Sequence, residues 1–391
     1  SDEASVIALA MREVLERPSR TAALVTPDRQ LAEAVIAALQ RWRIEVDDSA
    51  GRPLSQCPSG GYLESLVAML AADMARVNAT IIARMDSDIP LIPQLAGHLI
   101  AAGGKRMRPM MTIAGAMMTG VPLAQRAPAI LLSTAVEFIH SATLLHDDVI
   151  DESNLRRGQE TANALWGNDA AVLVGDFLFA RAFELMVESG DIRVLGRLSA
   201  ASAQITEGEI RQMGITGQPD TAVDEYLDVI AGKTAVLFAA AAAAGVEISG
   251  GSPDLVAAMH DYGMQLGMAF QIMDDALDYA ADADVMGKNA GDDFADQKIT
   301  LPTILAWQEG DADERAFWQR TLGDADFADG DLSTAQKLLA RHDAIDRAIL
   351  RAQTFAEAAC NAIAPFTSDL QTSELASALA DAARFAALRT S

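Results

Sequence analysis

Two short stretches of this chain repeat one chemical pattern. In LLHDDVIDE, Asp147, Asp148 and Asp151 stand at i, i+1 and i+4, and 127 residues later MDDALDY sets Asp274, Asp275 and Asp278 at the same spacing. On a helix the first and last aspartate of each set share a face, with the middle one beside them. Two carboxylates about 4 Å apart repel by about 1 kcal/mol in water and about 4 kcal/mol at an effective dielectric near 20. The crowding calls for a cation. Mg2+ fits, because it takes oxygen ligands and usually combines one or two carboxylates with waters and substrate phosphate. One such motif alone could be a solvated acidic helix end. Two copies, each closing an apolar helix, would form a cup for divalent ions that suits diphosphate.

Basic residues punctuate the same chain. GGKRMRP carries Lys105, Arg106 and Arg108 after a glycine pair, with Pro109 suited to open a helix. RRG supplies Arg156 and Arg157, while GKT and GKN add Lys233 and Lys288. Guanidinium forks match phosphate oxygens in pairs, and lysine acts as a point charge. The GKT stretch lacks the first glycine of a P-loop, which removes support for ATP-type phosphoryl transfer. His98, His140, His146, His260 and His342 form no helical metal pair of the zinc-hydrolase type. His140 stands about two helical turns before Asp147, and spacing alone fits a core histidine or a site residue.

The elements that must position these groups are helices. Apolar residues recur at three- and four-residue spacing through Leu63–Met85, Leu91–Ala102, Pro109–Met118, Ala127–Asp148, Asp169–Val187, Val194–Gln212, Tyr226–Ala244 and Leu255–Tyr279. This predicts an all-α fold, a single large antiparallel helix bundle over residues 62–391. Residues 1–61 read differently. Thr21–Pro27 and Ile44–Asp48 look like strands around a helix at Asp28–Trp42, an α/β-like extension that ends in a Gly/Pro/Ser-rich linker.

The composition bounds function. The chain has 391 residues, 50% of them hydrophobic, enough for a sizeable core. A formal charge of −25 argues against a nucleic-acid surface, which needs clustered cations. Two cysteines, Cys57 and Cys360, fit a reducing cytosol and exclude a disulfide scaffold. No apolar run reaches the roughly 18 uncharged residues of a membrane span, and the expectation is a cytoplasmic protein. A lipid product could still hold it at a membrane surface.

Taken in order, GGKRMRP, EFIHSATLLHDDVIDESNLRRG, NALWGNDAAVLVGDFLFARAF, EGEIRQM, GKTAVLF, FQIMDDALDY and GKNAGDDFADQKITLPT resemble the all-trans polyprenyl diphosphate synthases, from about Tyr62 to the C-terminus. The resemblance implies a helical bundle around a deep apolar cavity, in a homodimer. It implies repeated head-to-tail condensation of isopentenyl diphosphate onto an allylic diphosphate such as farnesyl or geranyl diphosphate. Three Mg2+ ions per site are implied, Mn2+ being the alternative, held by Asp147, Asp151, Asp274 and Asp278, with Asp148 and Asp275 ligating or tuning. Lys105, Arg108, His140 and Arg157 would take isopentenyl diphosphate. Arg156, Lys233, Thr234, Gln271 and Lys288 would take the allylic diphosphate, and Lys298 would close the site. Asp292 and Asp293 are expected on a mobile flap.

In this family small residues one turn before the first motif leave room for a long product, and here they are Ala142 and Thr143. A long-chain product, serving a quinone side chain, is therefore expected. The alternatives are a non-catalytic subunit of a heteromeric synthase, a short-chain synthase, and a terpene cyclase, which would not need GGKRMRP. Separately, about Glu3 to Cys57 resembles a fragment of the B subunit of a bacterial helicase-nuclease for double-strand break repair, without any nucleotide-binding or nuclease motif.

Overall fold

The computed structural model describes residue 35 and residues 61–101, 106–156, 159–280, 291–367 and 370–388. The chain divides into two units, Ser1–Arg52 and Pro53–Ser391. The helical bundle belongs to the second unit, and the strands expected before residue 50 lie outside the described residues. Its elements are α1 (Gly61–Arg84), α2 (Leu91–Ala101), α3 (Met107–Met117), α4 (Ala127–Ile150), a hairpin of β1 (Leu155–Arg156) and β2 (Gln159–Glu160), then α5 (Ala162–Trp166), α6 (Asn168–Glu188) and α7 (Ile192–Ile215). After these come α8 (Val223–Ile230), a π-turn (Ala231–Ala235), α9 (Val236–Ile248), α10 (Pro253–Ala280), α11 (Asp292–Ala295), α12 (Leu301–Glu309), α13 (Ala312–Trp318), α14 (Asp331–Arg341), α15 (Ala344–Ile363) and α16 (Leu370–Leu388). The fold is all-α, as the periodicity predicts.

Helix α9, VLFAAAAAAGVEI, runs through the middle. Every residue from Val236 to Val246 is buried, and the helix packs on α3, α4, α7 and α10. A helix apolar all round belongs inside a fold. Its alanines leave so little bulk that neighbouring backbones come close. A Cβ added at Gly245 would lie 1.9 Å from the Thr112 carbonyl oxygen of α3, and one at Gly115 would lie 2.2 Å from that of Ala242. Gly263 and Gly267 of α10 meet Phe238 and Ala235 in the same way. Close backbone packing thus fixes α3 and α10, which carry Arg108 and the second aspartate motif, against one rod.

Two boundaries differ from the sequence reading. Helix α3 starts at Met107, not Pro109, with Arg106 in the left-handed region at φ 47°. Pro109 still falls in the first turn, where its missing N–H leaves no hydrogen bond unmade. The expected single helix Tyr226–Ala244 is interrupted by the π-turn at GKT. The cause is a close crossing with α7: a Cβ at Gly208 would sit 2.4 Å from the Lys233 amide nitrogen, and Gly232 approaches Gly208 in return. Extra turns of this kind recur at functional sites.

The absence of an 18-residue uncharged run stands, while length and mean composition single out three helices. By length and composition Leu63–Arg84, Ala127–Ile150 and Val223–Ile248 are each apolar enough to span a bilayer. In the last two much of that apolar surface, 67% and 83% of the window, is spent inside the bundle.

Gly245→Ala should destabilise the protein by about 1–3 kcal/mol, the usual cost of overpacking. Gly196→Ala, on α7 with nothing within 4 Å of the new methyl, should be neutral or stabilising. Denaturant unfolding of the two variants checks the contrast.

Candidate active site

Both aspartate motifs lie at the C-terminal ends of their helices, α4 and α10. Negative side chains are disfavoured there, because the last carbonyls already point negative charge outward. Burial adds to the cost. Asp147 is pushed up to about 7, first by burial; Glu209 and Asp151 push the same way, and Lys233 and Arg156 only partly offset them. Asp275 is pushed up to about 6 by burial, against hydrogen bonds from Tyr226 and Gln271 and with Asp274 and Asp278 adding to the rise. Asp293 is raised well above the ordinary range by burial and by Asp275 and Asp278.

The two motifs share one internal division of labour. Their middle aspartates are buried, Asp148 at 2% and Asp275 at 5% exposure, and both are held by the protein. Arg156 grips Asp148 through Nε and Nη2 at 2.9 and 2.7 Å. Tyr226 donates its hydroxyl to Asp275 at 2.6 Å, and Gln271 donates its amide at 2.7 Å. Asp147, Asp151, Asp274 and Asp278 are only half-buried. The outer pair of each motif is therefore open to a ligand, and the middle one anchors it.

Local sequence explains the Arg156 contact. After α4 the chain must turn back, and Asn163 ties that turn by donating to the carbonyls of Asp148 and Ser153 at 3.1 and 3.0 Å. Thr161 donates to Ser153 as well, at 2.7 Å. The hairpin then returns Arg156 to the end of α4, and His98 of α2 braces the hairpin at the Glu160 carbonyl, 2.8 Å away.

The cations converge on the same end. Lys233, held by the π-turn, pairs with Glu209 of α7 at 2.8 Å and reaches Asp147 electrostatically. Thr234 donates to Gln271 at 2.9 Å, so the π-turn connects through Gln271 to Asp275. Arg108 stands 3.1 Å from His140 Nε2 and 4.3 Å over the Phe238 ring. Burial pulls its guanidinium down to about 10, with Glu137 opposing, and its Nε is buried without a hydrogen-bond partner. Arg106 pairs with Glu137. Lys298 reaches Asp151 at 3.2 Å and Asp296 at 3.0 Å.

Lys105, Arg157 and Lys288 lie outside the described residues. Asp292 and Asp293, expected on a mobile flap, stand on the short α11, anchored by buried Phe294 against Trp318 and Phe327. The Asp293 amide donates to an Asp278 carboxylate oxygen at 3.1 Å. Sequence reasoning missed Glu209, Glu137, Tyr226 and Asn163. Glu209, Glu137 and Asn163 sit inside stretches already quoted, EGEIRQM, EFIHSATLLHDDVIDESNLRRG and NALWGNDAAVLVGDFLFARAF, and membership of those stretches was the available signal.

The donor set fits a hard divalent ion. It consists of carboxylate oxygens, and burial raises the pKa of Asp147 among them. Among the described residues no three His, Cys, Asp or Glu side chains are grouped to hold a metal without help. A hard divalent ion of this kind usually completes its shell with water and phosphate. Because Asp147 and Asp275 hold protons more tightly folded than unfolded, stability should fall as pH rises from about 4 towards 7. Melting of the EDTA-treated protein should show the decline between about pH 4 and 7 and level off above it. Asp147→Asn should flatten it and excess Mg2+ abolish it; a melting temperature that rises with pH would contradict the assignment.

Comparison with known proteins agrees with this geometry. Residues 89–339 match the polyprenyl synthetase family. The octaprenyl diphosphate synthase of Haemophilus influenzae is 40% identical over 291 residues, 74% of this chain and 87% of that protein. A Caulobacter crescentus polyprenyl synthase, solved with calcium and isoprenyl diphosphate, is 45% identical with a TM-score of 0.80, covering 84% of this chain and 98% of that one. A decaprenyl diphosphate synthase from Rhodobacter capsulatus is 46% identical with a TM-score of 0.77, covering 83% and 98%. The matched region contains both aspartate motifs and Arg108, Arg156, Lys233 and Lys298, and on that ground the chain belongs to the polyprenyl synthetase family.

Proposed function

We propose that this protein makes a long-chain all-trans polyprenyl diphosphate by adding isopentenyl diphosphate repeatedly to an allylic diphosphate. The carrying observation is the pair of aspartate motifs at the ends of α4 and α10, with Lys298 reaching from α11's flank to Asp151 and Lys233 facing Asp147. Octaprenyl and decaprenyl synthases among the relatives support the long product.

Asp147, Asp151, Asp274 and Asp278 would hold Mg2+, with Mn2+ as the alternative and three ions as the expected number. Bound there, the metal neutralises charge that develops on the leaving diphosphate. Lys233 and Arg156 meet the allylic diphosphate at the same mouth, and Lys288, outside the described residues, is assigned to the same diphosphate by the resemblance. Thr234 and Gln271 adjust its position. Arg108 and His140, with Lys105 and Arg157, take isopentenyl diphosphate. As the allylic carbon–oxygen bond breaks, the alkene carbon of isopentenyl diphosphate bonds to the allylic carbon. A proton then leaves the condensed chain, with the released diphosphate as its acceptor. The buried Phe238, against Phe270, carries Arg108 on its face.

Ala142 is fully buried on α4, and Thr143 turns its hydroxyl back to the His140 carbonyl at 2.8 Å. Both side chains are small, which supports room for an elongating tail. The product's destination is a quinone side chain, reached from the cytoplasm with the lipid holding the enzyme near a membrane surface. Residues 62–391 form the synthase domain and 1–61 an extension. A homodimer through α6 is supported by Leu173 and Val187, 67% and 65% exposed on its outer face.

Purified protein with Mg2+, radiolabelled isopentenyl diphosphate and farnesyl diphosphate should yield products of about eight to ten isoprene units by reversed-phase chromatography, since the named relatives are octaprenyl and decaprenyl synthases. Asp147→Asn and Asp274→Asn should each lower turnover by about a hundredfold or more, since metal charge stabilisation contributes several kcal/mol. Thr143→Phe should shorten the product without abolishing turnover. Absence of any incorporation by the wild-type chain would favour a non-catalytic subunit.

A further inference from the structure

Lys298 sits among three carboxylates contributed by different parts of the fold. Its Nζ lies 3.2 Å from Asp151 at the end of α4, 3.9 Å from Asp293 on α11 and 3.0 Å from Asp296 just after α11. Asp293 in turn is fixed to the second motif, because its amide donates to Asp278 Oδ2 at 3.1 Å, and the Gly291 amide donates to the Asp278 carbonyl at 3.1 Å. The Lys298 amide closes the turn on the Asp293 carbonyl at 2.9 Å. One ammonium thus connects the outer aspartate of the first motif to α11, the segment hydrogen-bonded to the outer aspartate of the second.

The placement is electrostatically firm. Burial opposes charge on Lys298, yet Asp293, Asp151 and Asp296 outweigh it and hold the ammonium above its ordinary range. An unpaired lysine so enclosed would shift the other way. The backbone cannot easily carry it elsewhere either, since Phe294 anchors α11 in an aromatic cluster and the Gln297 carbonyl accepts from the Gly217 amide at 3.2 Å. Movement is left to the four-carbon stem.

We propose that Lys298 is a positioning residue that acts through Asp151 and Asp293 as a tethered counter-ion, competing with divalent metal for Asp151 until a diphosphate arrives to accept the ammonium. The inference rests on Asp151 being a metal ligand and goes beyond the substrate contact implied for this lysine. It follows from charge. An ion arriving alone must take Asp151 from the ammonium, which keeps only Asp293 and Asp296 and stays close enough to repel the ion. An ion arriving with diphosphate brings oxygens that Lys298 can turn to, so metal and diphosphate binding become coupled. The lysine's second effect is to keep Asp151 and Asp293 from repelling each other apart, so that the outer aspartates of both motifs stay in register.

The test is Mn2+ binding to EDTA-stripped full-length protein, followed by electron paramagnetic resonance without substrate and then with inorganic diphosphate. Lys298→Gln should bind Mn2+ alone about tenfold more tightly than wild type, the lower end of what outer groups around a metal usually contribute, and should lose much of the gain that diphosphate gives wild type. Lys298→Arg, which keeps the charge, should stay near wild type. Melting of the stripped proteins verifies that each variant is folded. Equal or weaker Mn2+ binding by Lys298→Gln, with Asp151→Asn still abolishing binding, overturns the proposal alone. Binding indifferent to Asp151→Asn overturns the metal assignment beneath it.

Discussion

The structure depends on how it contains carboxylate repulsion at one end of a helical bundle. Two helices end in three aspartates each, pointed the way the helix dipole disfavours and partly removed from water. Left alone, such groups would take up protons or splay apart, and the rise of Asp147 to about 7 records that pressure. The fold answers with tethered cations: Arg156 on Asp148, Lys298 on Asp151, and Lys233 beside Asp147. Lys233 is offset again by Glu209 and Lys298 by Asp296, so these charges form chains and not isolated pairs. A site built in this way has a standing affinity for more positive charge, and a magnesium diphosphate brings positive charge together with groups its lysines can grip.

Precision in that arrangement comes from packing. Six consecutive alanines in α9, Ala239 to Ala244, let α3 and α10 draw in until glycine is required at the crossings. Close backbone contact transmits little slack. It fixes Arg108 on α3 over Phe238 of α9, and sets the end of α10 relative to α4. The π-turn is the local price of bringing Lys233 under Glu209 while α8 and α9 continue as helices. Where the fold needs freedom, it uses long side chains on fixed backbone, and Lys298 is the clearest case.

Much of this was legible in the sequence because it is periodic or ordered. The helices announce themselves by apolar spacing, and the repeated DDxxD with its flanking basic clusters announces a diphosphate site. The interruption at Ala231–Ala235 was hidden, since a close helix crossing depends on Gly208 and Gly232, 24 residues apart in sequence. The separate work of middle and outer aspartates was hidden for a similar reason. Spacing places Asp148 and Asp275 beside their neighbours, whereas their burial depends on Arg156 returning through a hairpin and on Tyr226 reaching across from α8. Glu209 and Glu137 carried no signal by spacing; they matter because the fold sets them against Lys233 and Arg106.

If both aspartate motifs hold the same metal-bound diphosphate between them, anomalous diffraction from crystals grown with Mn2+ and inorganic diphosphate tests it directly. Manganese peaks should stand against Asp147 and Asp151 and against Asp274 and Asp278, joined by one diphosphate that Lys233 also contacts. Peaks confined to one motif, or a diphosphate remote from both, would contradict the shared site.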